Sequence, residues 1–325
     1  MKLDAILGRI LLPALAASLL SCAALAQSYP AKPVRFIIPF PPGGPTDIMG
    51  RLAADTLSKA LGTQFIADNR GGAGGNIGSD LCAKAAPDGY TICMFTVAQS
   101  ISPAIYRKLP FDPQKDFTPV TLMAVLPSIL TVHPQLPVKN VRELVALAKS
   151  KPGQLSYSST GNGTSPHMLM EMFKWMTGTN IVHIPYKGQA PSVLDQISGQ
   201  VQMAFNTAIG VIPHVKAGKL KALAISTKER FPAMPELPTV AESGVKNFDG
   251  ASWQGVVMPA GVPRDIVVKL HEILAKSLKT PEARERLLAL GALPSGNSPD
   301  EFAAFIKAET EKWAKVAKAA HIRLD

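Results

Sequence analysis

One local pattern restricts the fold of this chain more than any other: an apolar strand joined to a helix through a turn rich in proline and glycine. Residues 34–38 are the strand, and the turn that follows contains Gly43 and Gly44. We expect the helix to open at Thr46 or Asp47 and to continue to Leu61. The first amides of a helix lack internal partners and lie at its positive end, so this turn can bind an anion. A tight strand–helix connection without a ligand is the alternative.

The pattern occurs a second time at residues 155–167. A strand at 155–159 is followed by a glycine loop at 160–164, then by Ser165 as the expected N-cap and Pro166 at the first helical position. Other strands alternate with helices along the chain, which predicts an α/β fold with mostly parallel, doubly wound sheets. Ligands of such sheets bind beyond the carboxyl ends of the strands.

The order of these elements predicts two domains. We expect the strand at 128–134 to begin the second domain, and the chain to cross back to the first around 248–257. Three amphipathic helices follow, the last opening with a capping box at Ser298 and Glu301. We assign this tail a scaffold role.

The first 26 residues have the pattern of a secretory signal peptide. Lys2 and Arg9 precede or flank an apolar run at 10–20, which is too short to span a bilayer, and small residues favour cleavage after Ala26. We therefore expect an exported, periplasmic protein. A lipoprotein-like site before Cys22 leaves lipid anchoring there as the alternative.

Net charge and cysteine content exclude few functions. Removing Lys2, Asp4 and Arg9 changes the formal net charge from +10 to +9. The basic residues are scattered among acidic ones and form no run, which indicates a solvated surface and no nucleic-acid partner. Cys82 and Cys93 could form a disulfide in an oxidising compartment or could be small core residues.

We first considered an enzyme. Ser165 and His167 lie close together in the sequence and Asp47 could complete a triad, but the G-x-S-x-G context of a hydrolase nucleophile is missing. The glycine-rich segment 71–78 does not satisfy G-x-G-x-x-G, so no dinucleotide is expected. We predict no catalytic residue, no metal site and no cofactor, and keep a secreted Ser/His hydrolase as the alternative.

A binding protein accounts for more of the sequence. If the two halves face each other, the two glycine loops bring two helix N-termini to one cleft, together with the hydroxyls of residues such as Thr46 and Thr164. Helix N-termini favour anions, so a small carboxylate fits. Neither loop contains Lys or Arg, so recognition would rest on amides, hydroxyls and water, with Phe40 as an apolar wall.

Several motifs together resemble one known family. They are Pro39-Phe40-Pro41-Pro42-Gly43-Gly44-Pro45-Thr46-Asp47, the segments 69–78, 86–91 and 158–167, Pro185-Tyr186-Lys187-Gly188 and Gly218-Lys219-Leu220. In this order they resemble the Bug (TctC-like) family of extracytoplasmic solute receptors of tripartite tricarboxylate transport systems. The resemblance covers nearly the whole chain after the signal segment.

The resemblance implies a two-domain, class II periplasmic-binding-protein-like fold with two crossover strands near 124–127 and 250–254 that act as hinges. Domain 1 would comprise 27–125 and 252–325, and domain 2 would comprise 126–251. The protein would be a monomer that captures a small organic acid and delivers it to two membrane permease subunits. A receptor that feeds a sensor kinase stays open as a third possibility.

Carried over to this sequence, the family's motifs give a set of ligand-binding residues. They are Phe40, Gly43, Gly44, Thr46, Asp47, Gln99, Ser159, Gly161, Gly163, Thr164 and Asn206. Three positions depart from the family pattern: Gly71 stands where proline is more frequent, Gln99 where histidine is common, and Asn206 where aspartate is common. Without a negative charge at Asn206, we expect a more anionic ligand.

Overall fold

The computed structural model describes residues 29–324, so the predicted signal segment and the lipid-anchor site at Cys22 lie outside the described residues. The described strands are β1 (Val34–Ile38), β2 (Phe65–Asn69), β3 (Thr91–Thr96), β4 (Phe117–Val132), β5 (Ser156–Ser159), β6 (Val182–Pro185), β7 (Met203–Thr207), β8 (Lys221–Ile225), β9 (Ala251–Pro259) and β10 (Leu293–Pro294).

Helices alternate with strands as far as β8, after which β9 follows β8 directly and two helices precede β10. The helices are α1 (Pro45–Leu61), α2 (Asn76–Ala83), α3 (Val97–Ile105), α4 (Val141–Ser150), α5 (Ser165–Thr177), α6 (Gln189–Ile197), α7 (Ala208–Lys216), α8 (Arg264–Leu278), α9 (Pro281–Leu290) and α10 (Pro299–Ala319), with a short 3₁₀ turn at Ala73–Gly75. Within residues 29–324, no helix has the length and apolar content needed to cross a bilayer.

The strands form a mixed sheet in the order β2-β1-β3-β9-β4-β7-β5-β6, with β8 and β10 paired to β4. β1 pairs in parallel with β2 and β3, and β5 pairs in parallel with β6 and β7. Between these two parallel groups lie β4 and β9, which run antiparallel to their neighbours. The α/β alternation and the two crossover strands are therefore as predicted.

β4 is longer than the sequence pattern indicated. The predicted strand at 128–134 is the second part of a 16-residue strand, Phe117–Val132. Residues 117–127 pair with β9, whereas residues 128–132 pair with β7. The strand is buried along most of its length, so no change in hydrophobic pattern marks the point where its partners change. The domain boundaries at 125/126 and 251/252 stay a prediction.

Two helix starts differ from the expected ones, and a predicted loop is a helix. α1 begins at Pro45, and Thr164 is the N-cap of α5, so that Ser165 is its first residue. The segment 97–100 directly follows an apolar strand in the sequence and is predicted to be a loop, but it is the first turn of α3. Thr96 and Gln99 form a capping box there, and polar residues that read as a loop are in fact a helix start.

The tail is a scaffold, as its pattern predicted. α8, α9 and α10 begin directly after Pro263, Thr280 and Ser298, and the predicted capping box between Ser298 and Glu301 forms. α10 buries Trp313, whose Nε1 donates to Glu309 Oε2 at 3.0 Å.

Cys82 of α2 and Cys93 of β3 are joined by a disulfide, with their Cα atoms 6.3 Å apart. Both residues are buried, and the bond fastens α2 to the sheet directly behind the glycine-rich segment 71–78. The alternative that they are separate core cysteines does not apply to this structure.

We predict that reduction of this disulfide lowers the free energy of unfolding by about 2–3 kcal/mol, the loop-entropy value for a crosslink this short. Urea unfolding with and without dithiothreitol measures the difference. The double variant Cys82→Ala/Cys93→Ala is the control and should unfold identically in both buffers. Free thiols detected by alkylation of the native protein would contradict the prediction.

Candidate functional site

The first glycine loop is held in place by Asp47. This carboxylate accepts hydrogen bonds from the Gly43 amide at 3.0 Å, from Arg51 Nε at 2.9 Å and from Asn69 Nδ2 at 2.9 Å. Burial raises the pKa of Asp47, but these hydrogen bonds outweigh it, so the pKa lies below its usual value. Gly43 has a positive φ of 81°, which glycine adopts without strain. Asp47 therefore shapes the loop, and the Gly43 amide is not free to bind a ligand.

The second glycine loop is held in the same way. The Gly161 amide donates to Ser159 Oγ at 3.2 Å, and the Gly163 amide donates to His167 Nδ1 at 3.2 Å. Thr164 Oγ1 donates to the Gly161 carbonyl at 2.6 Å. These two glycine amides are thus paired within the protein.

A stack of three rings lies beneath this loop. His183 is stacked between His167, at a centroid distance of 4.4 Å, and Tyr157, at 4.7 Å. His183 Nε2 lies 2.7 Å from Ser159 Oγ. Burial lowers the pKa of His167 to about 4, and burial together with His167 lowers the pKa of His183 to about 3. Both histidines are therefore neutral at neutral pH, as the bond from the Gly163 amide to His167 Nδ1 requires.

The glycine-rich segment 71–78 and Ile105, the last residue of α3, lie close to the second glycine loop. A Cβ added to Gly74, in the glycine-rich segment 71–78, would lie 2.6 Å from the Asn162 carbonyl oxygen. A Cβ added to Gly163 would lie 2.6 Å from Ile105 Cδ1. The glycines that resembled a dinucleotide motif thus allow the close approach of the second loop.

A cavity lies between the first and the second glycine loop. Its lining residues are Phe40, Pro41, Pro42, Gly44, Pro45, Thr46, Thr96, Val97, Ala98, Thr160, Thr164, Ser165, Pro166, Lys187, Gly188, Gln189, Ala190, Pro191, Thr207, Ser252 and Gln254. Most of them lie just after the ends of strands in the two parallel groups, and Ser252 and Gln254 lie in the crossover strand β9.

Five helix N-termini converge on this cavity. The lining includes the first residues or N-caps of α1, α3, α5, α6 and α7. Each of these helices follows a strand that ends at this edge of the sheet, which is why their starts meet here. Each N-terminus favours an anion by about 0.3–1 kcal/mol. The sequence predicted two such helix ends.

The lining is almost free of charged side chains. Of the 21 lining residues, all within the described part of the chain, Lys187 is the one with a charged side chain, and none is acidic. Neither glycine loop contributes a basic residue to the lining, as expected from their sequences, and recognition without Lys or Arg stays a prediction. Lys187 is an exposed residue of the loop before α6.

Several hydroxyls of the lining are paired within the protein. Thr96 Oγ1 bonds to Gln99 Oε1 and accepts from the Ala98 amide, and Thr207 Oγ1 donates to Gln189 Oε1. By contrast, Ser165 Oγ and Gln254 Oε1 are buried and have no hydrogen-bond partner among residues 29–324. Ser165 is 3% exposed and Gln254 is 2% exposed. A buried polar group without a partner costs about 1–3 kcal/mol, so both groups are candidates for ligand contacts.

The structure brings only part of the predicted set together. Phe40, Gly44, Thr46 and Thr164 line the cavity. The other predicted residues do not line it: Gly43, Asp47, Gln99, Ser159, Gly161, Gly163 and Asn206.

The side chains of Asn206 and Gln99 form hydrogen bonds within the protein, and their part in ligand binding stays a prediction. Asn206 Nδ2 donates to Thr131 Oγ1 at 2.9 Å and to Gln196 Oε1 at 2.8 Å. The lining residue of β7 is the next one, Thr207, because neighbouring residues of a strand face opposite sides. Gln99 Oε1 accepts from the Thr96 amide at 2.9 Å and caps α3.

Sequence reasoning missed Ser252 and Gln254 of β9. Their side chains share a face because they are two positions apart, and Gln254 pairs with Thr96 across the ladder. An available signal was the sequence Ser252-Trp253-Gln254, in which polar residues alternate with a buried tryptophan inside an apolar strand.

The chain matches the family model described as tripartite tricarboxylate transporter family receptor over residues 49–322. It is 35% identical over 301 residues to Protein BugT of Bordetella pertussis, covering 92% of each chain. These matches confirm the resemblance drawn from the motifs.

Solved structures of similar proteins have the same fold. The structure of R. palustris Rpa4515 with adipate is 38% identical, with a TM-score of 0.88, covering 91% of this chain and 99% of that one. Periplasmic binding protein BugD is 34% identical, with a TM-score of 0.86 and coverages of 91% and 99%. MatC from Rhodopseudomonas palustris with bound malate is 31% identical, with a TM-score of 0.84 and coverages of 89% and 99%. The predicted fold class is confirmed.

We predict that the ring stack makes the protein sensitive to mild acid. An unfolded histidine has a pKa near 6.5, whereas burial lowers the pKa of His167 to about 4. Between these values the unfolded chain binds more protons, so stability is complete above about pH 6.5 and falls towards pH 4, by up to about 1.4 kcal/mol per pH unit.

Urea unfolding at pH 7, 6 and 5 measures this slope. His167→Asn keeps an acceptor for the Gly163 amide and should reduce the slope, with His183 accounting for the part that remains, whereas His321→Asn, at an exposed position, should leave it unchanged. An unchanged slope in His167→Asn would contradict the prediction.

Proposed function

This chain belongs to the tripartite tricarboxylate transporter family of receptors, and we propose that it is a periplasmic solute-binding receptor for a small carboxylate. The proposal rests on one observation: five helix N-termini meet at a cavity whose described lining contains no acidic side chain. A carboxylate in this cavity would be stabilised by helix ends and could hydrogen bond to first-turn amides.

Similar proteins support the choice of a carboxylate. Adipate and malate are the acids in the Rpa4515 and MatC structures, and both chains are aligned over most of this one. The two acids differ in length and in substitution, so they support the chemical class of the ligand and leave its identity open.

We propose Ser165 as a ligand contact in addition to the predicted residues that line the cavity, because its hydroxyl can donate to a carboxylate. Gln254 Oε1 only accepts, so its partner would be a bound water or a donor group on the body of the ligand. Phe40 would contribute an apolar surface. Thr46, in the first turn of α1, and Thr164, the N-cap of α5, would contribute polar contacts. Ser165 is the strongest candidate for a hydrogen bond to the ligand. Its hydroxyl is buried, has no partner among residues 29–324 and lies in the first turn of α5.

The proposed division into two domains also implies that the domains close around the ligand. Domain 1 would comprise residues 27–125 and 252–325, and domain 2 residues 126–251, with β4 and β9 as the connecting strands. The cavity is lined from both domains, so a ligand that contacts both would favour a closed state.

We further propose that the receptor acts as a monomer and delivers its ligand to two membrane permease subunits. The family's description as a transporter receptor supports this role. The alternative of a Ser/His hydrolase gains no support from the site. Ser165 Oγ has no hydrogen-bond partner among residues 29–324, and His167 Nδ1 accepts from the Gly163 amide, so the two do not form the nucleophile–base pair of a hydrolase.

We predict that millimolar adipate or malate raises the melting temperature, since a ligand at 100 times its Kd stabilises a fold by about 2.7 kcal/mol. Ser165→Ala should weaken the affinity about 10- to 100-fold, the range for a lost hydrogen bond to a charged group. Isothermal titration calorimetry with whichever acid binds measures the change.

Ser198→Ala is the matched control, because Ser198 is exposed at the other end of α6, and its affinity should equal that of the wild type. Equal affinities in Ser165→Ala and the wild type would contradict the proposed contact. An esterase activity that Ser165→Ala abolishes would contradict the receptor function itself.

A further inference from the structure

We infer that the ligand carries, besides its carboxylate, a hydrogen-bond donor that binds Gln254 Oε1. This donor is a hydroxyl or an ammonium group on the body of the acid. The inference rests on the proposed function and narrows its ligand class from carboxylates in general to hydroxy acids and amino acids.

Gln254 contributes an unpaired acceptor to the lining of the cavity. The residue is 2% exposed, and its Oε1 has no hydrogen-bond partner among residues 29–324. A buried oxygen without a donor is destabilising, so a ligand that supplies the donor gains affinity. The amide nitrogen Nε2 could donate to a carboxylate, but that contact would leave Oε1 unpaired.

The side chains paired with Gln254 across the sheet cannot supply this donor. Directly paired residues of neighbouring strands share a face, and Gln254 is paired with Thr96 of β3 and Ala124 of β4. The Thr96 hydroxyl donates its one hydrogen to Gln99 Oε1 at 2.9 Å, and alanine has no polar side chain. The donor therefore has to enter the cavity from outside the protein.

A carboxylate cannot be this donor, because an ionised carboxylate only accepts hydrogen bonds. The groups proposed to bind the acid are donors, namely the first-turn amides of the converging helices and the Ser165 hydroxyl. The cavity thus offers donors to a carboxylate and an acceptor to a second, different group. An acid whose polar groups are all carboxylates satisfies the donors and leaves Gln254 Oε1 unpaired.

A bound water is the alternative partner of Gln254. A buried water typically makes about three hydrogen bonds. Along the same face of β9, Ser252 offers a hydroxyl two positions before Gln254, but Val256, two positions after it, is apolar. Because Thr96 and Ala124 offer no hydrogen either, a water there has few protein partners. A ligand group, by contrast, is held in place by the carboxylate of the same molecule.

The test uses sets of acids that differ at one position of the body: succinate, malate and aspartate; glutarate, 2-hydroxyglutarate and glutamate; tricarballylate and citrate; 3-phenylpropionate, 3-phenyllactate and phenylalanine. Calorimetry measures the Kd of each, with both enantiomers of every chiral acid. In each set that binds, a member with a hydroxyl or ammonium group should bind about 5- to 150-fold more tightly than the unsubstituted acid, the range for a buried group left unpaired.

The enantiomers give a second measurement on the wild type. Gln254 lies in a strand that is paired on both sides, so its amide has a fixed position relative to the helix starts that bind the carboxylate. One enantiomer of each chiral acid that binds should therefore be preferred at least fivefold, because only one places its donor at Oε1.

Gln254→Met tests the residue itself, since it removes the acceptor with little change in side-chain length. The variant should weaken the preferred hydroxy or amino acid at least fivefold and leave the unsubstituted acid within about twofold of its wild-type Kd. Gln200→Met, the same change at an exposed position, should keep all wild-type values. Circular dichroism melting identifies a misfolded variant, and in that case the wild-type sets and enantiomers decide the question.

Each result has a defined meaning. A hydroxy acid or an amino acid as the tightest member supports the inference and identifies the donor. Unsubstituted acids that bind as tightly as their hydroxyl and ammonium counterparts overturn it and leave water as the partner of Gln254. A preference that survives in Gln254→Met overturns the role of this residue. If none of these acids binds, the proposed function itself fails.

Discussion

The rest of the site depends on one electrostatic constraint: the positive ends of five helices meet in one cavity, and no acidic side chain of the described lining compensates them. The topology produces this arrangement. Helices that follow strands ending at one edge of a sheet all begin at that edge, and the two crossover strands bring two such edges together. Several helix N-termini, each of which stabilises an anion by a small free energy, can together take the place of a buried arginine side chain as the partner of a carboxylate.

The glycine loops are fixed before any ligand arrives. Asp47 binds the Gly43 amide, Ser159 binds the Gly161 amide, and His167 binds the Gly163 amide. These internal bonds use donors that would otherwise be offered to the ligand. In return, the first turns of α1 and α5 have defined positions, which lowers the entropy cost of binding. The neutral histidine stack beneath the second glycine loop also fixes the position of that loop before a ligand binds.

The sequence predicted the parts of the site that depend on local signals. The Pro/Gly turn before α1, the glycine loop before α5 and the capping box at Ser298 are each written in a few neighbouring residues. These signals give element types and approximate starts. They do not show which other elements will lie beside them.

The parts of the cavity lining that sequence patterns did not indicate depend on pairing between distant strands. Asn206 and Thr207 are both polar and adjacent, and only the register of β7 against β4 decides which of them lines the cavity. Gln254 belongs to a strand that reads as core, and its position beside Thr96 follows from the β3–β9 ladder. Lys187 reaches the lining because α6 begins at the same edge as α5.

The central claim, that helix ends from both halves hold a carboxylate, is tested most directly by amide NMR shifts during titration with adipate. We expect the first-turn amides of Thr46 and Ser165 to move downfield together, with one shared Kd, because both would donate to the acid. Saturating binding that leaves these two amides unshifted, or that shifts the amides of only one half, would contradict the account.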